Sequence, residues 1–177
     1  MHKKVFLDVE SVWPKLEQAL RQAISNLVAM RETEGSNIYG DFIKRADLIA
    51  EKLAVIEERS PQVVEEYQIR LSDRINELLA KHNQVIEPER LLQEVAIFAD
   101  RTSITEEIVR LKSHIKQFKL IIDADQPVGR KLDFLIQEFN REANTIASKA
   151  NDYTLAQVVV EIKAEIEKIR EQIQNIE

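Results

Sequence analysis

The sequence predicts an all-α protein whose long amphipathic antiparallel helices form a helical bundle and self-associate. Apolar residues recur every three or four positions over most of the 177 residues, which is the spacing of one helix face. Only three glycines and four prolines interrupt the chain, far fewer than globular domains usually contain. With 44% hydrophobic and 32% charged residues, the chain is also too apolar to be disordered.

The prolines indicate where helices begin. Pro14, Pro61, Pro88 and Pro127 each stand at the start of an apolar pattern. Proline is tolerated in the first turn of a helix because its missing N–H is not needed there. Ser60, directly before Pro61, is a predicted N-cap.

Seven apolar seams follow one another along the chain, and each predicts a helix. In chain order they are Trp13, Leu16, Leu20, Ile24 and Leu27; Phe42, Ala46, Ile49, Leu53 and Ile56; Val64, Tyr67, Leu71, Ile75 and Leu78; Leu91, Val95 and Phe98; Ile104, Ile108, Leu111, Ile115, Phe118 and Ile122; Leu132, Leu135, Ile136, Phe139, Ala143 and Ile146; and Leu155, Val159, Ile162, Ile166, Ile169, Ile173 and Ile176. Residues 35–40 predict a break after the first seam, and Ser103 with Glu106 predicts a capping box before the fifth. The last seam keeps a heptad spacing, so we expect a buried helix from about Thr154 to the chain end. Each seam must be covered by other helices of the chain or by another copy.

Composition excludes several classes of protein. The chain has no cysteine, which rules out disulfides and thiolate metal sites and fits a reducing compartment. No apolar run approaches the roughly 20 residues of a membrane span, and the N-terminus does not read as a signal peptide. The net charge of −6 argues against non-specific nucleic-acid binding by the whole surface. However, residues 101–150 hold nine Lys/Arg against seven Asp/Glu. A polar stretch at residues 81–87 predicts a boundary between a helical region, 1–85, and a second domain, 86–177.

The familiar catalytic motifs are missing from the sequence. It has no phosphate-binding glycine loop, no nucleophile elbow and no HExxH zinc motif. Any chemistry must therefore use carboxylates, amides, arginines, lysines and three histidines, of which only His114 lies inside a strong pattern. Such an inventory suits a hard divalent cation held by oxygen ligands.

The sixth predicted helix has a polar face that is richer in amides than a solvent-exposed face requires. Asp133, Gln137, Asn140, Arg141 and Asn144 lie behind its apolar seam, whereas a plain surface helix is filled mainly with Glu and Lys. This face either lines a functional site or forms a polar interface between helices of an oligomer, and the pattern fits both.

The fifth predicted helix presents a second group of polar residues at spacings of three and four. Glu107, Arg110, His114 and Gln117 flank its seam and are neighbours on the helix surface. His114 borders the apolar stripe, so it is either a packed, hydrogen-bonded residue or a base or ligand.

Basic residues accompany these two faces. Arg130 and Lys131 follow Gly129 at a predicted helix start, where unpaired N–H groups and the helix dipole already favour an anion. A phosphate there would meet backbone donors and two cations. The alternative is that these residues are solubilising charges paired with nearby carboxylates.

Several long runs resemble a known family. Residues 110–118 (RLKSHIKQF), 127–142 (PVGRKLDFLIQEFNRE), 144–150 (NTIASKA) and the ending 163–177 closely resemble the C-terminal domain of the YicC (YloC-like) family of bacterial endoribonucleases. The resemblance is strong over residues 87–177 and looser over 10–80. Family members normally open with a separate N-terminal domain whose first residues read like MTGFGR, and this chain has no such run.

The resemblance implies a metal-dependent endoribonuclease that hydrolyses phosphodiester bonds in single-stranded RNA. It implies manganese or magnesium as the cation and a cytoplasmic homo-oligomer, a hexamer in the full-length family. The alternative function is a non-catalytic helical oligomerisation scaffold that clamps RNA or partner proteins.

The roles of individual residues are our inference within that resemblance. The predicted catalytic residues are His114, Asp133 and Glu138; the predicted metal ligands are Asp133, Glu138 and Glu142; and the predicted RNA-binding residues are Arg110, Lys112, Arg130, Lys131, Arg141 and Lys149. One helix cannot aim all three carboxylates at one ion, because Glu138 and Glu142 are rotated away from Asp133. A neighbouring helix or subunit must complete the site, and Glu107 or Glu94 could supply the extra ligand.

Overall fold

A computed structural model describes residues 9–80, 87–124, 126–174 and 176. These residues form five helices and no strand, so the all-α prediction is confirmed. The helices are α1 (Val9–Ala80), α2 (Pro88–Thr102), α3 (Thr105–Ile122), α4 (Gly129–Lys149) and α5 (Tyr153–Ile173). Within the described ranges, none of them has an apolar stretch that could cross a membrane.

Packing divides the chain into two compact units, Met1–Asp41 and Phe42–Glu177. The predicted boundary between residues 85 and 86 falls in a segment, 81–86, that lies outside the described residues. The division into 1–85 and 86–177 therefore stays a prediction.

The second unit contains the core, which forms along antiparallel helices. On α3 and α4, Glu107 pairs with Lys149 and Arg110 pairs with Glu142, so the two helices run in opposite directions. The fully buried side chains between the helices include Leu111, Phe118, Leu132, Phe139, Ile146, Ile162 and Ile166. The helical-bundle prediction is confirmed for this unit, and self-association stays a prediction.

Ion pairs join the second half of α1 to α5 and to the residue before it, and the residue numbers rise along α1 as they fall along α5, so the two helices are antiparallel. Arg45 contacts Glu165 at 2.8 Å, Lys52 contacts Glu161, and Arg59 contacts Asp152 at 2.8 Å. Asp152 is also the N-cap of α5 and accepts a hydrogen bond from the Leu155 N–H at 2.9 Å. The hydrogen bond from Arg59 lowers the pKa of the Asp152 carboxyl despite its partial burial, so this pair fixes the start of α5.

The helix breaks predicted within residues 9–80 are wrong, because the structure has one helix there. Gly35 and Gly40 lie inside α1 with open space around them, and a helical glycine costs only about 1 kcal/mol relative to alanine.

Pro61 also lies inside α1, so Ser60 is not an N-cap. An interior proline costs about 3 kcal/mol. Burial of Ile56 and Val63 on either side offsets that loss, at about 1.5–3 kcal/mol each.

Two further local predictions are corrected by the structure. Ser103 does not cap α3: the N-cap is Ile104, without a side-chain cap, and Glu106 instead pairs with Arg110 one turn along. The last helix ends at Ile173, three residues before Ile176. Its buried seam from Leu155 to Ile173 is as predicted.

In the first unit, the described residues, 9–41, are all helical. Its predicted seam is not buried within the chain, since large apolar side chains there are 48–58% exposed: Trp13, Leu16, Leu20, Ile24, Leu27, Val28 and Met30. This face therefore differs from the seams of α3, α4 and α5, which are buried by neighbouring helices.

Candidate functional site

The α3–α4 interface brings three predicted site residues together. His114 lies on α3, and Glu138 and Glu142 lie four residues apart on the facing side of α4. One ligand atom from each of the three lies within 4.8 Å of the others. We call these three residues the His114–Glu138–Glu142 cluster. The sequence analysis predicted that a neighbouring helix must add a ligand to those of α4. The helix that lies there is α3, and it brings the imidazole of His114 to Glu138 and Glu142 rather than the carboxylate that was predicted.

Glu142 is the most deeply buried member of the cluster. Only 3% of the residue is exposed, and a buried carboxylate needs a close positive partner or a metal ion. Arg110 Nη1 lies 3.8 Å from Glu142 Oε1, which is beyond hydrogen-bond distance. Arg110 also pairs with Glu106 on its own helix, so its charge is shared and compensates Glu142 only in part.

His114 is half-buried beside the aromatic core. Its ring centroid lies 6.4 Å from that of Phe139, with the planes at 29°. Within the described part of the chain, its buried Nδ1 atom has no hydrogen-bond partner. A buried polar atom without a partner is uncommon and costs about 1–3 kcal/mol, so the arrangement suits a ligand that the imidazole would contact.

The donors of the cluster fit a divalent cation. Two carboxylates held close together repel each other unless a positive charge lies between them. Carboxylate oxygens suit manganese and magnesium, and an imidazole nitrogen is accepted more readily by transition metals than by magnesium. Three protein ligands also leave coordination positions for water or substrate, as catalytic metal sites require.

Asp133 lies outside the cluster. Its Oδ2 accepts a hydrogen bond from Gln137 Nε2 at 3.0 Å on the exposed side of α4. The structure therefore does not bring this predicted ligand to His114. Glu94, the other suggested ligand, is an exposed residue of α2.

Glu107 is buried but already has a cationic partner. Lys149 Nζ donates to Glu107 Oε1 at 2.8 Å and to the Ser103 carbonyl at 3.1 Å. Burial acts to raise the pKa of the Glu107 carboxyl, but the hydrogen bond from Lys149 and the charges of Lys149 and Arg110 outweigh it and lower the pKa. Glu107 is thus held as a carboxylate by the protein itself.

Five of the six predicted RNA-binding cations fall into two groups, and Arg141 stands apart from both. Lys112 pairs with Glu57 at 2.5 Å, Lys149 with Glu107, and Arg110 with Glu106, so these charges are at least partly balanced. Arg130 and Lys131 are exposed at the start of α4. They line a groove of about 420 Å³, whose other lining residues are His114, Gln117, Ile121, Phe134, Leu135 and Glu138. We call it the α3–α4 groove.

Arg141 belongs to a second groove, which lies along the α4 polar face. Arg141 Nη1 lies 3.7 Å from Glu138 Oε2. The groove has a volume of about 480 Å³ and is lined by Ile136, Gln137, Asn140, Arg141, Asn144, Thr145 and Arg170. Four of the five residues predicted as an amide-rich face line this groove or lie at its edge.

Sequence reasoning missed Phe134 and Arg170. Arg170 lies on α5 and joins the α4 polar face only through the packing of the two helices. Phe134 precedes the buried Leu135 and points off the apolar seam, with 64% of the residue exposed. A large aromatic residue off its helix seam, next to Arg130 and Lys131, was the available signal.

Comparison with known proteins shows the family to which the chain belongs. The model of the family described as endoribonuclease YicC-like, C-terminal, matches residues 56–177. A protein of Clostridioides difficile named probable endoribonuclease YicC is 52% identical over 170 residues, which is 96% of this chain and 58% of the relative. A protein of Haemophilus influenzae with the same name is 36% identical over 170 residues, with the same coverage. The chain thus spans less than two thirds of the length of these relatives. On both the family match and the identity of these relatives, the chain belongs to the YicC-like family and carries its C-terminal domain.

Proposed function

We propose that this chain is the catalytic module of a divalent-metal-dependent endoribonuclease that hydrolyses phosphodiester bonds in single-stranded RNA. The observation that carries the proposal is the His114–Glu138–Glu142 cluster, with its ligand atoms within 4.8 Å of one another. The names of the relatives, probable endoribonuclease, support the same reaction class. Manganese fits the mixed nitrogen and oxygen donors better than magnesium does.

The side chains of the cluster would hold the cation, and nearby groups would act on the phosphate. A divalent cation bound by His114, Glu138 and Glu142 would supply Lewis-acid activation of water and of the phosphoryl group. Arg110, 3.8 Å from Glu142, is placed to stabilise negative charge that develops on a phosphate oxygen. If His114 is not a ligand, its unpartnered Nδ1 is the group that would carry a proton.

Arg130 and Lys131 are the cations best placed to hold the RNA backbone near this centre, since both line the α3–α4 groove with His114 and Glu138. Changing both to glutamate should weaken RNA binding and flatten its salt dependence. Each lost phosphate contact should reduce the slope of log affinity against log salt by about 0.7. Fluorescence anisotropy at several salt concentrations would measure this, with Lys163→Glu as the control on α5. An unchanged slope would place the RNA elsewhere.

A second candidate function, a non-catalytic scaffold that clamps RNA or partner proteins, is favoured by one observation. The apolar face of residues 9–41 is half exposed, which suits pairing with another copy of the chain. We include a homo-oligomer in the proposal for this reason, whereas a hexameric state and a cytoplasmic location come from the family resemblance alone. Light scattering that reports a monomer at micromolar concentration would remove the oligomer from the proposal.

The decisive experiment incubates the purified chain with a labelled single-stranded RNA and with the same RNA as a duplex. We expect cleavage of the single strand with added manganese and none after chelation with EDTA. The Glu142→Gln variant should bind the RNA but leave it intact. Binding without cleavage by the parent chain under all metal conditions would favour the scaffold function.

A further inference from the structure

The α3–α4 groove combines an apolar wall with a cationic rim and ends at the candidate metal centre. Ile121, Phe134 and Leu135 supply the apolar wall, and Arg130 and Lys131 supply the cations. His114 and Glu138, two members of the cluster, line the same groove. Its volume of about 420 Å³ falls in the range of pockets that enclose small organic ligands.

Phe134 is the unusual member of this wall. Its neighbours in sequence on the α4 seam, Leu132, Leu135 and Ile136, are buried to 4% exposure or less, whereas Phe134 is 64% exposed. Single exposed apolar side chains are common on protein surfaces, so exposure alone means little. What distinguishes Phe134 is that its ring borders the same groove as two cations and two groups of the metal centre.

From this juxtaposition we propose that Phe134 is a stacking platform for one nucleobase of the RNA, adjacent to the cleavage centre. The inference rests on the proposed function and specifies how that site takes its substrate. The base would stack on the Phe134 ring, and Arg130 and Lys131 would contact the flanking phosphates. The combination of aromatic ring and cationic groove is the usual means of holding a single strand without reading its sequence.

The platform would also explain a preference for single strands. A base can stack on a protein ring only if it is turned out of its own helix, which costs little in a single strand and much in a duplex. Because every base has a π face, we expect little dependence on which base occupies the position.

The test measures RNA binding in the absence of divalent cations, so that no cleavage occurs. Phe134→Ala should weaken binding of a labelled single-stranded RNA about 5- to 150-fold, and Phe134→Trp should restore it. Tyr153→Ala is the matched control, because Tyr153 is also an exposed aromatic residue but stands at the start of α5. That variant should bind like the parent chain.

A set of RNAs only as long as the binding site, so that they bind in one register, and each with one abasic nucleotide, then separates stacking from a general structural effect. Against the parent chain, one abasic position should weaken binding by about the same factor as Phe134→Ala. Against the Phe134→Ala variant, that position should have no further effect. A 2-aminopurine placed at the same position should lose fluorescence on binding to the parent chain and regain it with the variant.

Several results would overturn the proposal. They are equal binding by Phe134→Ala and the parent chain, equal losses at every abasic position, or a change of oligomeric state in Phe134→Ala by light scattering, which would make Phe134 a protein contact. Failure of the proposed nuclease activity would look different. The chain would then bind RNA with the full stacking response but would neither take up manganese nor cut the strand.

Discussion

Two buried glutamates on the same pair of helices differ in how their charge is compensated. Glu107 on α3 and Glu142 on α4 are 4% and 3% exposed. Glu107 receives a direct hydrogen bond from Lys149 at 2.8 Å. Glu142 has Arg110 at 3.8 Å, and it has a second carboxylate and an imidazole within 4.8 Å.

The difference separates a structural carboxylate from a candidate functional one. In the Glu107–Lys149 pair the cation is in direct contact with the carboxylate through Oε1, although the buried Glu107 Oε2 has no hydrogen-bond partner among the described residues. The surroundings of Glu142 add negative charge and an unpartnered nitrogen, so this region gains most from a cation that the protein does not itself supply. By burial alone, Glu107 and Glu142 would be equally good candidates for a functional carboxylate, and only their neighbouring groups distinguish them.

Cleavage should show the largest difference between the two glutamates. Glu142→Gln removes one ligand charge from the cluster, and we expect the rate of manganese-dependent RNA cleavage to fall at least about a hundredfold. Glu107→Gln should retain most of the activity, because Glu107 lies outside the cluster and a glutamine oxygen can still accept the hydrogen bond from Lys149. Initial rates on the same RNA would measure this. Equal losses in the two variants would mean that burial, not the cluster, is what cleavage depends on.

Manganese affinity should separate the cluster from the nearby carboxylate that was also predicted as a ligand. His114→Ala should weaken manganese binding by about tenfold or more, since one of three ligands is lost. Asp133→Asn should change it little, because Asp133 is hydrogen-bonded to Gln137 away from the cluster. Isothermal titration calorimetry would measure both affinities. A large loss in Asp133→Asn would restore Asp133 as a ligand and require another arrangement of the site.

Without metal, the free energy of unfolding should fall when Glu107 is replaced but not when Glu142 is replaced. Glu107→Ala should lower the free energy of unfolding by about 1–3 kcal/mol, because it leaves Lys149 without its carboxylate and opens a buried site. Glu142→Gln should leave the stability unchanged or raise it slightly, since it removes a poorly compensated buried charge. Urea denaturation in EDTA would report both values. Destabilisation of similar size in both variants would show that Arg110 compensates Glu142 fully.

The smallest expected effect is a pH dependence of the Glu107 contribution. The pKa of Glu107 is lowered in the folded chain, so its stabilising effect is complete above the unfolded glutamate pKa of about 4.3. The effect is lost as the pH falls through the lowered folded value. The difference in unfolding free energy between the parent chain and Glu107→Gln should thus be constant near pH 6 and shrink below about pH 4. A difference that stayed constant down to pH 3 would contradict the lowered pKa.

The fold was predictable wherever local pattern and packing agree. The seam from Leu155 to Ile173 keeps its spacing, and α5 forms and is buried along it. Pro61 misled the prediction because proline marks a helix start only by local preference. The burial of Ile56 and Val63 around it decides the outcome, and that depends on contacts with distant parts of the chain.

The three residues of the cluster could be named from the sequence, but the sequence could not tell which other candidate residues would lie outside it. The sequence indicated His114 by its position at the edge of an apolar seam, and Glu138 and Glu142 as carboxylates four residues apart beside the polar face of the next helix. It could not tell that Asp133 would be left out or that Glu107 would bind Lys149. Both outcomes depend on the axial register of α3 against α4, which no spacing within one helix specifies.

The Glu107–Lys149 salt bridge stabilises the axial register of α3 against α4. A slide of α4 along α3 by one turn, about 5.4 Å, would carry Lys149 beyond the reach of Glu107 and Glu142 away from His114 by the same step. The salt bridge therefore resists the displacement that would take the cluster apart, although it contributes no atom to the cluster. On the proposed function, helix alignment and metal binding would thus depend on different glutamates of the same pair of helices.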